Sequence, residues 1–225
     1  MQENSVGLVL SGGGIRGMAH IGLIQAMQEH DIEADVVSGT SIGALVGALY
    51  ANGNSVKEML AFFQETPLFK YNFFAINKPG FIDTERYYSV FKKHFPNDAF
   101  EVLNKKLYVV ATDLLKGEER VFHEGDLIKP LLASAALTPV FSPVDIDGTL
   151  FADGGVMNNF PKEYVYESGR IIIGSKVSIA LIEPAELEKI GVLDKKGIET
   201  AYRIGYEHGS RALEKLLTEK KLSTE

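Results

Sequence analysis

Short apolar runs alternate with longer segments of helical hydrophobic spacing in the first quarter of the chain. Val6–Leu10 and Asp35–Ser38 predict buried strands, and each precedes a predicted helix, at Met18–His30 and at Ile42–Asn52. Gly53 marks the end of the second helix, because glycine readily adopts the left-handed conformation of a helix C-cap. Strands that alternate with helices in this way predict parallel pairing within an α/β sheet.

The rest of the pattern predicts further helices and strands in a less regular order. Ser55–Glu58 matches a capping box, which predicts the start of a third helix. Further helices are predicted at Thr84–His94, at Asp126–Ala136 and near the end of the chain, where helical spacing relates Ile198, Ala201, Tyr202, Leu213, Leu216 and Leu217. Further strands are predicted at Lys106–Thr112, Arg120–His123, Val144–Asp147, Leu150–Ala152, Arg170–Gly174 and Val177–Ile182. Gly148 joins two of these strands into a hairpin that ends at Asp153.

An aromatic region interrupts this pattern between Phe62 and Phe81. It contains Phe62, Phe63, Phe69, Tyr71, Phe73, Phe74 and Phe81, together with Pro67 and Pro79. Two interpretations remain open from the sequence. The region forms a lid or a groove, or its side chains belong to the ordinary core, where phenylalanine is commonly buried.

Composition narrows the class of protein. The 225 residues are 45% hydrophobic, which predicts one domain over residues 1–225. The chain has no cysteine, which excludes disulfides and thiolate metal sites. With 23 basic and 30 acidic residues, the net charge of −7 disfavours a nucleic-acid partner and purely electrostatic binding to anionic membranes. The N-terminus has no secretory pattern, and the apolar stretch Ile42–Ala51 is too short to span a bilayer, so a cytoplasmic location is expected.

The second strand–helix corner carries a candidate nucleophile. Ser41 lies between Gly39 and Gly43 where an apolar strand turns into a helix, which is the pattern of a nucleophile elbow. The helix dipole at this point favours the alkoxide that forms when the hydroxyl loses its proton. The alternative is a helix that merely begins with small residues.

The first corner is a glycine loop with two competing interpretations. Gly12, Gly14 and Gly17 follow a strand and precede a helix, as in a dinucleotide-binding fingerprint. That function needs an acidic residue at the end of the second strand, whereas this strand ends in serine, glycine and threonine, which disfavours a nucleotide-binding module. The other use of exposed backbone amides is an oxyanion hole. Arg16 either steadies the loop, attracts an anionic head group, or is solvated.

Histidine, the usual base for a serine nucleophile, does not occur in a suitable pattern. The five histidines are His20, His30, His94, His123 and His208, and none follows a strand in a glycine-bounded turn. Asp153 does follow a short apolar strand and precedes Gly154 and Gly155. A carboxylate held at a strand end fits a catalytic base, although an ordinary Asp-Gly turn has the same pattern.

Together these residues resemble a known family. Gly12–Gly17, Gly39–Gly43 and Asp153–Gly155 are similar, in order and spacing, to the three signature blocks of patatin-like phospholipases. The resemblance covers about residues 6–215 and includes Ala51–Gly53, Val110–Leu114, Ala133–Ala136 with Pro139, Phe141 and Pro143, Asp153–Pro161, and Gly205-Tyr206.

The resemblance implies a three-layer α/β/α hydrolase with a mostly parallel central sheet. It also implies a Ser–Asp dyad without histidine, in which Ser41 is the nucleophile and Asp153 the base. The implied oxyanion hole consists of the amides of Gly13 and Gly14, with that of Ile15 as a further candidate. The implied activity is hydrolysis of phospholipids, lysophospholipids or related acyl esters without a metal or other cofactor, and with transient contact to a membrane surface.

Three expectations qualify this interpretation. An aspartate with a pKa of about 3.9 is a weak base at neutral pH, so we expect partial burial to raise the pKa of Asp153, or close Ser–Asp geometry to compensate. Gly174–Lys176 is shorter than the corresponding family segment, which leaves the cleft wall and the substrate size open. A catalytically silent lipid-binding or regulatory relative remains the alternative function.

Overall fold

A seven-stranded sheet organises the part of the chain that this computed structural model describes, residues 5–66, 79–166, 171–177, 187, 190–191 and 195–222. The strands are β1 (Val6–Leu10), β2 (Val36–Thr40), β3 (Lys106–Asp113), β4 (Glu118–Phe122), β5 (Val144–Ile146), β6 (Thr149–Asp153) and β7 (Ile171–Ser175). The helices are α1 (Met18–Glu29), α2 (Ile42–Ala51), α3 (Val56–Glu65), α4 (Tyr88–His94), α5 (Ile128–Ser134), α6 (Glu163–Tyr166) and α7 (Ile198–Leu222).

The sheet is mostly parallel. Its order is β5-β6-β3-β2-β1-β7, and β4 also pairs with β3. β7, β1, β2 and β3 are mutually parallel neighbours. β4 and β6 run antiparallel to β3, and β5 runs antiparallel to β6. Five of the seven described strands therefore point in one direction, as predicted.

Side chains of β1 alternate between two cores, which establishes the layers. Leu8 and Leu10 belong to the large core with residues of α1, α2 and α7. Val9 points the other way and packs with Val36 of β2 and Val165 of α6. This alternation is the period of two expected for a strand buried on both faces. The three-layer α/β/α architecture is thereby confirmed.

Two strand ends meet at the same level of the sheet. β2 runs parallel to β3 and ends with Thr40 opposite Val110. β6 runs antiparallel to β3 and ends with Asp153 opposite Ala111, the next residue of β3. Ser41, which follows Thr40, and Asp153, the last residue of β6, therefore lie close to one another.

Several element boundaries differ from the predicted ones for local reasons. The helix predicted from Asp126 is α5, which begins at Ile128 because Asp98, on another segment, accepts hydrogen bonds from the Leu127 and Ile128 amides. β4 begins at Glu118 instead of Arg120, because Asp113 accepts the amides of the preceding turn. The predicted capping box at Ser55 and Glu58 is confirmed.

The predicted helix Thr84–His94 consists of a 3₁₀ turn, Thr84–Tyr87, followed by α4. In α7, Leu216 is 42% exposed, so it is not part of the buried face predicted for it. Of the predicted strand Val177–Ile182, Val177 has no regular structure and the other residues lie outside the described ones.

The aromatic region separates into parts. Phe62 and Phe63 of α3 are core residues, as the core interpretation expects. Phe81 is 70% exposed. Phe69, Tyr71, Phe73 and Phe74 lie outside the described residues, so the interpretation as a lid or groove stays a prediction for them.

Candidate active site

Ser41 occupies the tip of the turn from β2 into α2. Its backbone has φ 54° and ψ −125°, a conformation that is strained for a residue with a side chain. The flanking glycines are required by close packing. A Cβ on Gly39 would lie 2.6 Å from the carbonyl oxygen of Gly43, and a Cβ on Gly43 would overlap the carbonyl oxygen of Leu10. The predicted elbow therefore has the expected backbone geometry.

A buried serine braces this elbow. Ser134, at the end of α5, accepts a hydrogen bond from the Ser41 amide at 2.8 Å. Its hydroxyl donates in turn to the carbonyl oxygen of Val110 at 2.6 Å. The backbone of Ser41 is thus tied to β3. Sequence reasoning assigned no role to Ser134, although this residue lies within the Ala133–Ala136 segment of the family resemblance.

Asp153 lies beside the serine. The Ser41 hydroxyl donates to Asp153 Oδ2 at 2.6 Å, and the Gly155 amide donates to Oδ1 at 2.7 Å. Asp153 is only 5% exposed. Burial raises its pKa from 3.8 to about 6, although the hydrogen bonds from Ser41 and Gly155 oppose this shift. The predicted rise of this pKa through burial is confirmed.

The glycine loop packs directly on the serine. A Cβ on Gly12 would lie 3.2 Å from the Cβ of Ser41, and it would overlap the side-chain oxygen of Asn159. The Gly12 amide donates to the Asn159 carbonyl at 3.3 Å. Gly13 precedes the 3₁₀ turn Gly14–Gly17. Since the first amides of a helical turn have no partner within it, the loop carries amides suited to receive an anion.

These groups form one end of a cavity of about 620 Å³. The polar end contains Gly12, Gly13, Gly14, Ser41, Asp153, Gly155 and Asn159. The other lining residues are mostly apolar, among them Ile42, Leu45, Phe91, Leu132, Leu137, Phe141 and Val177, and they also include Arg16 and Thr84. Ser41 therefore faces a space whose walls are mainly hydrocarbon.

Arg16 lines the cavity, and its interpretations as a support of the loop or as a partner for an anionic head group stay predictions. Arg16 is 7% exposed and its Nε donates to the Ile190 carbonyl at 2.9 Å, so the interpretation as a solvated side chain is wrong. None of the five histidines, all of which are described, lines the cavity. Burial lowers the pKa of His20 to about 4, so its ring is neutral.

Two other kinds of feature are absent from the described residues. They contain no group of three or more histidine, aspartate or glutamate side chains placed to hold a metal ion. Within that same part of the chain, no helix combines the length and the apolar composition needed to cross a bilayer.

Known proteins are similar to this chain in sequence. An uncharacterized NTE family protein of Mycobacterium tuberculosis is 33% identical over 158 residues, which are 69% of this chain and 44% of the relative. The neuropathy target esterase of Drosophila melanogaster is 31% identical over 179 residues, 74% of this chain and 12% of the relative. The chain thus spans less than half the length of these curated relatives.

The structural comparison supports the fold alone. The crystal structure of VipD from Legionella pneumophila aligns with a TM-score of 0.55 at 16% identity, covering 84% of this chain and 52% of that one.

The sequence model described as "Patatin-like phospholipase" matches residues 8–166, which include the glycine loop, the elbow and the Asp153 turn. This chain belongs to the patatin-like phospholipase family.

Proposed function

We propose that this chain is a serine hydrolase that cleaves fatty-acyl esters of phospholipids, lysophospholipids or related lipids. The observation that carries the proposal is the 2.6 Å hydrogen bond from Ser41 to Asp153 at the polar end of an apolar cavity. Membership of the patatin-like phospholipase family supports the general activity, and one of the relatives is named as an esterase.

In the proposed reaction, Ser41 Oγ attacks the ester carbonyl while Asp153 Oδ2 takes the hydroxyl proton. The tetrahedral intermediate collapses when Asp153 passes this proton to the departing alcohol, which leaves an acyl group on Ser41. Asp153 then takes a proton from water, whose oxygen attacks the acyl-enzyme. As the fatty acid is released, Asp153 returns this proton to Ser41 Oγ. A pKa of about 6 suits this role, because the carboxylate is mostly ionised at neutral pH yet more basic than an ordinary aspartate.

The negative oxygen of the intermediate needs donors on the side of the glycine loop. We assign this role to the amides of Gly13 and Gly14, with that of Ile15 as a further donor. Each amide aimed at the developing charge lowers the barrier by about 3 kcal/mol in comparable sites. The packing of Gly12 on Ser41 brings the loop within range of an ester held on the serine.

The apolar walls favour an acyl chain as the group that enters the cavity, because burying methylene groups is favourable by about 0.8 kcal/mol each. Leu137 and Val156 line the cavity and are 38% and 62% exposed, so they lie at its rim. Such side chains suit transient contact with a lipid surface during substrate entry.

The test is hydrolysis of chromogenic esters of increasing chain length by the wild type, Ser41→Ala and Asp153→Asn. We expect each substitution to lower kcat by about 10⁴-fold or more. Ser38→Ala is the matched control, because Ser38 is a fully buried serine of β2, the strand before Ser41, and its hydroxyl donates to the Pro161 carbonyl. Full activity of Asp153→Asn would contradict the assigned base. A folded wild type without turnover at any chain length would instead support the silent lipid-binding alternative.

A further inference from the structure

A buried histidine lies directly behind the glycine loop. His20, in the first turn of α1, is fully buried, and both ring nitrogens are hydrogen bonded. Nε2 lies 2.8 Å from the Ser11 carbonyl oxygen, and Nδ1 lies 2.7 Å from Ser175 Oγ. Because a carbonyl only accepts, Nε2 must carry the ring proton, and the Ser175 hydroxyl must donate to Nδ1.

Ser11, the residue between β1 and the glycines, is held at every polar group. Its amide donates to the Ser175 carbonyl at 3.0 Å, and its carbonyl accepts from His20. Its hydroxyl donates to the Gly12 carbonyl at 3.0 Å and accepts from the Val177 amide at 2.8 Å. His20 and the end of β7 therefore fix Ser11 from two directions.

One of these contacts orients the loop itself. The Ser11 carbonyl and the Gly12 amide belong to one planar peptide, so their bonds point in opposite directions. His20 holds the carbonyl side, and the Asn159 carbonyl accepts from the amide side at 3.3 Å. Glycines restrict their own backbone angles little. Contacts from outside the loop must therefore set the direction of the Gly13 and Gly14 amides, and they do so at the Ser11–Gly12 peptide.

We propose that His20 is a positioning residue, whose neutral ring fixes the Ser11–Gly12 peptide and thereby aims the Gly13 and Gly14 amides at the reaction centre on Ser41. The inference rests on the proposed function, since the amides have this task only if Ser41 is the nucleophile. His20 touches neither Ser41 nor the cavity, so it acts through the loop.

The test compares two replacements of the ring. His20→Phe keeps a flat ring but removes the donor to Ser11, whereas the side-chain amide of His20→Gln restores a donor. Active sites are titrated with an alkyl fluorophosphonate, and kcat per titrated site, KM and the rate constant of phosphonylation are measured. A histidine that only stabilised the fold would change the melting temperature and the titrated fraction, but not these rate constants.

We expect His20→Phe to lower kcat per site and the phosphonylation rate constant by about 100-fold with KM changed less than about twofold, the pattern of lost transition-state stabilisation. His20→Gln should recover at least about tenfold of this loss. Ser175→Ala, which leaves the ring without its second partner, should lower kcat by about fivefold. Tyr50→Phe is the control for Ser175→Ala. The Tyr50 hydroxyl accepts a hydrogen bond from the Ala34 amide at 3.0 Å near the C-terminal end of α2, whereas Ser41 lies at the N-terminal end of this helix.

The outcomes are distinct. If His20→Phe and Ser175→Ala both match Tyr50→Phe in kcat per site, the positioning role is overturned while the proposed function stands. If His20→Phe does not fold, Ser175→Ala decides the question by the same comparison. Equal turnover by wild type and Ser41→Ala would overturn the proposed function, and this inference with it.

Discussion

The two corners at the carboxyl ends of β1 and β2 make the same kind of turn with different residues. Each contains a residue at positive φ, Ser41 at 54° in the elbow and Gly14 at 58° in the glycine loop. The elbow presents a side chain, so a serine must hold a backbone conformation that favours glycine. The loop presents amides, so glycine suffices there. A corner that offers a side chain therefore stores strain, and one that offers its backbone needs outside support.

The supports differ accordingly. Ser134 holds the elbow at the amide of the strained residue itself. His20 holds the loop one peptide before its glycines. The two corners also interlock, because a Cβ on Gly17 would overlap Ile42 and one on Gly43 would overlap the Leu10 carbonyl. Neither corner can move without the other.

Among substitutions that leave Ser41 and Asp153 in place, the largest effect is expected where the two corners touch. In Gly43→Ala the new methyl group would meet the carbonyl oxygens of Leu10 and Ser11, the latter at 2.6 Å, and backbone cannot yield as a side chain does. We expect a loss of about 3 kcal/mol in the free energy of unfolding and of more than about 100-fold in kcat. Urea unfolding and ester hydrolysis measure both.

Gly47→Ala, one turn later in α2, is the matched control for this substitution. Its Cβ would first meet a side-chain methyl of Val37 at 3.0 Å, and the gain in helix propensity of about 1 kcal/mol offsets that contact. Comparable stability of the two variants would show that the corners do not need this close approach.

The two corners are expected to respond differently to pH, because the titratable groups beside them have different pKa values. Asp153 beside the elbow has a pKa raised to about 6, whereas His20 behind the loop has one lowered to about 4. The base must be ionised, so kcat/KM should be at its plateau above pH 7 and fall about tenfold per pH unit below the pKa of Asp153. A pH–rate profile checks this, and a flat profile between pH 5 and pH 8 would argue against Asp153 as the base.

The sequence predicts the elbow and the loop because each is a local pattern. A short apolar run, small residues and a helix identify both corners within a dozen positions. Burial of Asp153 was also predictable, since an ordinary aspartate would be too weak a base for the expected chemistry. The pairing of Ser41 with Asp153 depended on the family resemblance, because 112 positions separate the two residues.

The supporting contacts of His20 and Ser134 were not predictable either, because they also join residues that lie far apart in the sequence. In the sequence His20 looks like an ordinary residue on the face of a helix, and its partner Ser175 is 155 positions away. Ser134 meets Ser41 across 93 positions. Such contacts depend on how β3 and β7 pair with their neighbouring strands, which short-range sequence patterns do not specify. The same limit applies to Asp98, which accepts the Leu127 and Ile128 amides at the start of α5 from 29 and 30 positions away.

Removing the brace of the elbow should have a smaller effect than the clash at Gly43. Ser134→Ala leaves the Ser41 amide without its partner, so the strained turn is less firmly held. We expect kcat to fall about tenfold with little change in KM. Ester kinetics of Ser134→Ala and Ser38→Ala, each lacking one fully buried hydroxyl, provide the comparison. Equal kcat values would mean that the hydroxyl of Ser134 does not position the nucleophile.

The smallest effect tests the strain itself. Ser41→Gly and Ser41→Ala both lose turnover and the hydrogen bond to Asp153, but only glycine relaxes a backbone at φ 54° and ψ −125°. This relief exceeds the entropy that glycine adds to the unfolded chain, so Ser41→Gly should be more stable than Ser41→Ala by about 1 kcal/mol. The reverse change in the other corner, Gly14→Ala at φ 58°, should cost about 1 kcal/mol. Thermal unfolding of the three variants measures both differences. If Ser41→Gly were less stable than Ser41→Ala, the elbow would store no strain. The two corners would then differ only in the groups they present, a side chain in one and backbone amides in the other.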